Sequence, residues 1–196
     1  MNIVVFDFDG TITTKDTLLE FIKFSKGKLQ FYIGFLLFSP LLVAMKLKLY
    51  PNWKAKERIF TYFYKGVSIN EFNEWGVNFS SEIEGIVRAK AREAIKYHLN
   101  NKDCVIIISA SVENWIKPWA KKMGIDNVIA TKIETDEKDM LTGRFLTKNC
   151  YGQEKVNRLL EIYPDRNNHI IIAYGDSRGD KELIEFSDKG FYNKFK

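Results

Sequence analysis

The sequence predicts an α/β fold, a doubly wound parallel sheet with a mostly helical insertion after its first strand. Short β-branched runs, Ile3-Val4-Val5-Phe6, Val105-Ile106-Ile107-Ile108 and Ile170-Ile171-Ile172-Ala173, each lead into a polar loop rich in Asp, Ser or Gly. Such runs read as buried strands ending in tight loops. Amphipathic stretches lie between them, and strands alternating with helices pair in parallel through right-handed crossovers. A long segment between the first and second runs is helical by pattern.

The first strand is expected over Ile3–Phe8. It ends in Asp7-Phe8-Asp9-Gly10-Thr11, with two carboxylates one residue apart. On a strand, residues i and i+2 point the same way, so these charges repel unless a cation or a shared proton joins them. Mg²⁺ suits such a pair, because it takes hard oxygen ligands and keeps water and phosphate in its shell. Helices follow from Thr17 to about Ala91, four or five in number, broken near Pro40, Pro51 and Gly66. Arg88–His98 reads as a helix, Cys104–Ile108 as the second strand, and Trp115, Ile116, Trp119, Ala120 and Met123 as the apolar side of the next helix. A third strand is expected over Asn127–Thr131, a small hairpin over Ile133–Phe145 and a helix over Lys155–Ile162. Strands over His169–Tyr174 and near Gly190–Tyr192 complete the sheet. Ligands bind at the carboxyl ends of strands in such sheets, where Asp7, Asp9, Ser109 and Asp176 all fall.

Each loop has a purely structural reading beside a chemical one. Ser109 or Ser111 can cap the following helix, or donate to a phosphate oxygen at its N-terminus. Lys155 can be solvated. Asp180, four residues after Asp176 in Gly175-Asp176-Ser177-Arg178-Gly179-Asp180, can favour a helix dipole.

Taken together and in this order, these stretches resemble the signatures of the haloacid dehalogenase-like hydrolase superfamily, whose members are mostly phosphatases. The setting Cys150-x-Gly152-x-x-Lys155 resembles the phosphoserine phosphatase-like branch, with a helical cap inserted after the first signature. The resemblance implies a Rossmann-like catalytic core over residues 1–14 and 92–196, and a cap over 15–91 that sets substrate choice. It implies a Mg²⁺-dependent phosphatase that hydrolyses a phosphomonoester through an aspartyl-phosphate, with Asp7 as nucleophile and Asp9 as acid and base. Ser109 and Lys155 would hold the transferring phosphoryl group, with Gly10 and Thr11 beside it. Asp7, the backbone carbonyl of Asp9, and Asp176 would hold the metal, and Asp180 would support the metal's waters. The true dehalogenases of the superfamily lack a second Asp at the position of Asp9, so carbon–halogen chemistry is disfavoured.

Substrate choice is less defined. Asp16 stands where phosphoserine phosphatases carry an acid that contacts the amino group, and it can equally cap the first cap helix. Arg58 is the candidate for their cap arginine. Gly179 departs from their pattern, which has Asn there. A small-molecule phosphoserine phosphatase-like enzyme, a membrane-associated phosphatase of a lipid-like phosphomonoester, and a phosphomutase are the alternatives.

Composition fits one domain with an insertion: 196 residues, 45% hydrophobic, net charge +5. Two cysteines form no disulfide framework, so a cytoplasmic setting is expected. The first strand leaves no room for an N-terminal signal ahead of Asp7. His98 and His169 lack metal-ligand spacing and read as structural. Basic segments such as Lys46–Lys56 and Arg88–Lys96 read as solvated helix faces, and second as attractors of anionic substrates or acidic membrane surfaces. No nucleic-acid motif stands out. Oligomeric state is not legible.

Residues 29–45, LQFYIGFLLFSPLLVAM, approach the length of a membrane span. A single span would put Asp7 and Ser109 on opposite sides of a bilayer. The stretch therefore reads first as a buried helical hairpin, with Pro40 at its break. The alternative is an exposed apolar surface that meets a membrane, a lipid-like substrate or a second subunit.

Overall fold

The computed structural model describes residues 2–196. Five parallel strands form the central sheet: β1 (Asn2–Phe6), β2 (Cys104–Val112), β3 (Asn127–Thr131), β6 (Ile170–Gly175) and β7 (Lys189–Tyr192). Their spatial order is β3-β2-β1-β6-β7, so the chain reverses direction of travel at β1. The expected hairpin forms as β4 (Ile133–Thr135) against β5 (Leu141–Phe145).

The strands read as unbroken apolar runs because both faces are covered. On one face Val4, Phe6, Val105, Ile107, Ile172 and Tyr174 join the larger core. On the other, Ile3, Val5, Ile106, Ile108, Ile171 and Ala173 pack with Val156, Leu159 and Leu183. The last three belong to α7 (Gln153–Ile162) and α8 (Lys181–Phe186).

Register decides where the polar ends meet. Phe6 pairs with Ile107 on one side and with Tyr174 on the other. The residues just beyond, Asp7, Ser109 and Asp176, therefore emerge at one edge of the sheet. β1 is shorter than expected, ending at Phe6. Residues Phe8–Ile12 form a tight irregular turn, closed by the Thr13 amide donating to the Phe8 carbonyl at 3.0 Å.

Between β1 and α5 (Ala89–Asn100) lie four helices: α1 (Thr17–Lys26), α2 (Lys28–Lys46), α3 (Asn52–Tyr64) and α4 (Ile69–Ile83). The outgoing and returning chains meet in an antiparallel bridge between Thr13 and Val87. An aromatic cluster ties this layer to α6 (Glu113–Lys122), with the Phe21 ring stacked on Trp115 at 4.4 Å and edge-on to Phe72 and Phe79. The β4–β5 hairpin packs on α3, where the Thr61 hydroxyl donates to the Gly143 carbonyl at 2.8 Å.

The helical hairpin expected in residues 29–45 does not form. α2 is one helix that runs through Pro40. Proline removes the amide that would bond the Leu36 carbonyl, and the Ser39 hydroxyl donates to that carbonyl instead, at 2.8 Å. Nor is the stretch buried, since only Phe31 and Gly34 of α2 are. His98 is structural as expected, held between Asp103 at 2.8 Å and the Tyr174 hydroxyl at 3.1 Å.

Candidate active site

A cleft of about 360 Å³ opens at the carboxyl ends of β1, β2 and β6, beneath α2 and α3. Its floor is Asp7, Asp9, Ser109 and Lys155, and its walls include Leu18, Phe35, Leu42, Met45 and Ile59.

Lys155 is the pivot of the floor. It sits in the first turn of α7, almost wholly buried. Its Nζ donates to Asp7 Oδ1 and to Asp180 Oδ1 at 2.5 Å each, and to the Ile108 carbonyl at 3.3 Å. Burial alone would strip the ammonium of its proton, but Asp7 and Asp180 outweigh it and hold the proton on. Burial has the opposite consequence for Asp7. It raises that carboxyl to about 7, with Asp180 adding to the rise and Lys155 opposing it.

Asp180 organises the loop after β6. Its Oδ2 accepts from the amides of Asp176 and Ser177, at 3.1 and 2.9 Å, and from the Ser177 hydroxyl at 2.8 Å. Despite its burial, Lys155 and these donors hold it below the usual carboxylate range. Asp176 Oδ1 accepts a hydrogen bond from the Thr11 hydroxyl at 3.3 Å, and Asp176 pairs with Lys196 Nζ at 3.0 Å.

Asp7 and Asp9 are expected to point the same way only if the strand continues, and the turn after Phe6 ends it. There Asp9 and Gly10 leave helical geometry and the two carboxylates diverge. Asp7 instead joins Asp176 and Asp180. One carboxylate oxygen from each lies within 4.8 Å of the others. A set of hard anionic oxygens at that spacing fits Mg²⁺. The carboxylate of Asp9 is not in the set.

Asp9 faces a separate network that the sequence did not reveal. The Thr17 amide donates to its Oδ1 at 2.8 Å, and the Ser111 hydroxyl donates to its Oδ2. Behind them, Trp115 Nε1 donates to the Thr17 hydroxyl at 3.0 Å, and that hydroxyl donates to Ser111 Oγ at 3.4 Å. Three donors thus run in series from α6 through α1 to the carboxylate. Burial raises the Asp9 carboxyl to about 6, helped by Asp16 and opposed by Ser111 and Lys56. Ser111 does not cap α6, at whose start there is no side-chain cap bond.

Ser109 is fully buried at the floor. Its oxygen accepts from the Ser111 amide at 3.0 Å. Among the described residues its hydrogen has no protein acceptor, which leaves it free to donate into the cleft.

The remaining candidates separate. Gly10 has φ +83°, and a Cβ there would lie 2.3 Å from Asp176 Oδ2, so the loop needs glycine on both counts. Thr11 turns to Asp176 rather than into the cleft. Asp16 lines the cleft and also caps α1, accepting from the Leu19 amide at 3.1 Å. Arg58 is not brought to the cleft: its guanidinium lies over the Tyr50 ring, on the outer side of α3. The basic group that α3 does turn inward is Lys56, which lines the cleft and donates to the Ala110 carbonyl at 2.8 Å. Gly179 lies under Tyr151, whose ring a Cβ would meet at 2.6 Å, so the larger residue expected from the phosphoserine phosphatase pattern has no room.

The model of the haloacid dehalogenase-like hydrolase family matches residues 4–185. The chain belongs to that family. Solved structures share its fold. One is a substrate-bound phosphoserine phosphatase, with TM-score 0.69 and 16% identity over 97% of this chain and 84% of that one. A protein of unknown function from Bordetella pertussis Tohama I aligns with TM-score 0.82 and 19% identity, over 95% of this chain and 86% of its own. Protein CicA of Caulobacter vibrioides is 30% identical over 208 residues, covering 99% of this chain and 86% of CicA.

Proposed function

We propose that the protein is a Mg²⁺-dependent phosphomonoesterase working through an aspartyl-phosphate on Asp7. The observation that carries this reading is the buried Asp7–Lys155–Asp180 array, with Asp176 alongside, at the floor of the cleft. Asp7, Asp176 and Asp180 would hold the metal, with the backbone carbonyl of Asp9 as a further donor. Bound there, Mg²⁺ would neutralise charge between the anionic ester and the carboxylates.

In the first step an Asp7 oxygen forms the bond to phosphorus as the bond to the ester oxygen breaks. Asp9, with its carboxyl raised to about 6, gives its proton to the departing alkoxide. In the second step Asp9 takes a proton from water, which attacks phosphorus and frees Asp7 and inorganic phosphate. The Ser109 hydroxyl and the Lys155 ammonium stabilise the phosphoryl oxygens throughout, as preorganised, buried donors. The helices of residues 15–91 act as the cap.

The cleft walls favour an ester with an apolar part. Leu18, Leu19, Phe35, Leu42, Met45 and Ile59 all line it. With Arg58 stacked on Tyr50, the cleft lacks the cap arginine expected of a phosphoserine enzyme. Two free cysteines, one of them buried, suit a reducing cytoplasm. The test is hydrolysis of an aryl phosphate with and without EDTA. The reading predicts loss of activity with chelator and recovery with added Mg²⁺, and undiminished hydrolysis in EDTA contradicts it.

A further inference from the structure

Helix α2 packs on one side and turns hydrocarbon outward on the other. Leu29, Leu36 and Leu37 are 74%, 78% and 61% exposed, with Tyr32, Ile33 and Val43 also exposed. Leu47, Leu49 and Trp53 extend the exposed apolar side chains past its end. Only 11% of the helix's apolar window is buried. Contiguous exposed apolar surface on this scale marks a docking site.

Charge identifies what docks. Residues 21–56 hold seven lysines and no Asp or Glu, which leaves the rest of the chain with slightly more acids than bases. Lys28, Lys46, Lys48 and Lys54 are exposed around the apolar face. A second copy of this chain meeting the face symmetrically would set lysines against lysines with no acid among them. An anionic lipid surface satisfies both the hydrocarbon and the charge.

Geometry decides how α2 sits. α3 runs back alongside it, with Phe63 against Gly34, Tyr62 edge-on to Phe38, and Asn52 and Ala55 sharing the cleft with Met45. α3 carries Lys54, Lys56, Glu57 and Arg58. A spanning α2 would pull these charges into the hydrocarbon, whereas an α2 lying in the interface leaves them in water. The inner side of the same helix supplies Phe35, Leu42 and Met45 to the cleft wall.

We propose that α2 lies in the plane of an anionic lipid surface, and that the substrate is an amphiphilic phosphomonoester taken from that surface. Its phosphate reaches Asp7 while its acyl part runs along Phe35, Leu42 and Met45. The docking half stands on α2 alone, and the substrate half rests on the phosphomonoesterase reading above.

The test uses the full chain, vesicles of phosphatidylcholine with phosphatidylglycerol, and vesicles of phosphatidylcholine alone. The protein is expected to co-sediment with the mixed vesicles and to lose that binding at high salt. Leu36→Glu with Leu37→Glu should weaken binding at least about tenfold, because two side chains leave the hydrocarbon. The same variant should hydrolyse an aryl phosphate normally, since neither residue lines the cleft. Its hydrolysis of phosphatidic acid carried in the mixed vesicles should fall about as far as its binding. If the leucine variant loses its aryl phosphatase activity, Lys46→Glu with Lys48→Glu gives the same readouts on a change at exposed lysines. A wild-type protein that hydrolyses aryl phosphate but ignores both vesicles overturns the docking. So does a wild-type dimer that the leucine variant turns into a monomer. Vesicle binding with no Mg²⁺-dependent hydrolysis of any phosphate leaves the docking standing and overturns the substrate half together with the reading beneath it.

Discussion

Ser111→Ala removes the last donor in the series from Trp115 through Thr17 to Asp9. The Ser111 hydroxyl bonds the ionised carboxylate, so it favours the charged form and holds the Asp9 carboxyl down. A hydrogen bond to a charged group contributes about 1.5–3 kcal/mol, and about 1.4 kcal/mol corresponds to one pH unit. Without Ser111, the Asp9 carboxyl should rise from about 6 by one unit or more. The Thr17 amide still holds Oδ1, so the carboxylate keeps its place. Ester cleavage needs protonated Asp9, and the descending limb of kcat against pH reports the loss of that proton. In Ser111→Ala this limb should move to higher pH by about one unit. The assay is phosphate release from an alkyl phosphomonoester at saturating Mg²⁺, because a poor leaving group needs the acid. A limb at its wild-type pH in a folded, Mg²⁺-dependent Ser111→Ala enzyme would refute the role given to Asp9.

Asp7→Asn should end turnover yet stabilise the metal-free protein at pH 8. The Asp7 carboxyl is raised from 3.8 to about 7, so its contribution to stability is complete below its unfolded value and is lost as pH rises through 7. Wild-type melting temperature without metal should therefore fall between pH 5 and 8 by more than that of Asp7→Asn, and parallel curves would count against an Asp7 carboxyl raised by burial. Lys155→Met leaves Asp7 and Asp180 buried without their cation, at a cost of about 3–5 kcal/mol. Urea unfolding should show that loss, and an unchanged midpoint would contradict the pivot role. Arg58→Ala should leave KM and kcat near wild type, whereas Lys56→Ala should raise KM several-fold, and the reverse pattern would restore the arginine to the site.

The sheet and the floor of the cleft were legible because they rest on rules with few exceptions. A β-branched run buried on both faces must be a strand, and strands of one parallel sheet deliver their ends to one edge. That places Asp7, Ser109 and Asp176 together from sequence order alone, and Lys155 follows from the family pattern. The details that failed depend on side-chain direction. Asp7 and Asp9 share a strand face only if the strand continues, and the turn at Asp9 and Gly10 ends it. Ser111 and Lys56 belong to residue types that are usually caps or solvated, and only their neighbours show otherwise. Arg58 and Lys56 are two residues apart on α3, so they face different sides of it, and sequence gave no means to choose between them. Pro40 does not break α2 because the Ser39 hydroxyl makes good the missing donor, a local rescue that the proline alone does not announce.

The central claim is a covalent phosphoryl group on Asp7, and trapping it is the direct measurement. Enzyme quenched in acid during turnover with Mg²⁺, then reduced with borohydride, converts an aspartyl-phosphate to homoserine that peptide mass spectrometry can place. Homoserine is expected at position 7 and nowhere else, with none formed when Mg²⁺ is withheld. Steady turnover with no homoserine at position 7, or with homoserine at Asp9 or Asp176 instead, contradicts the claim.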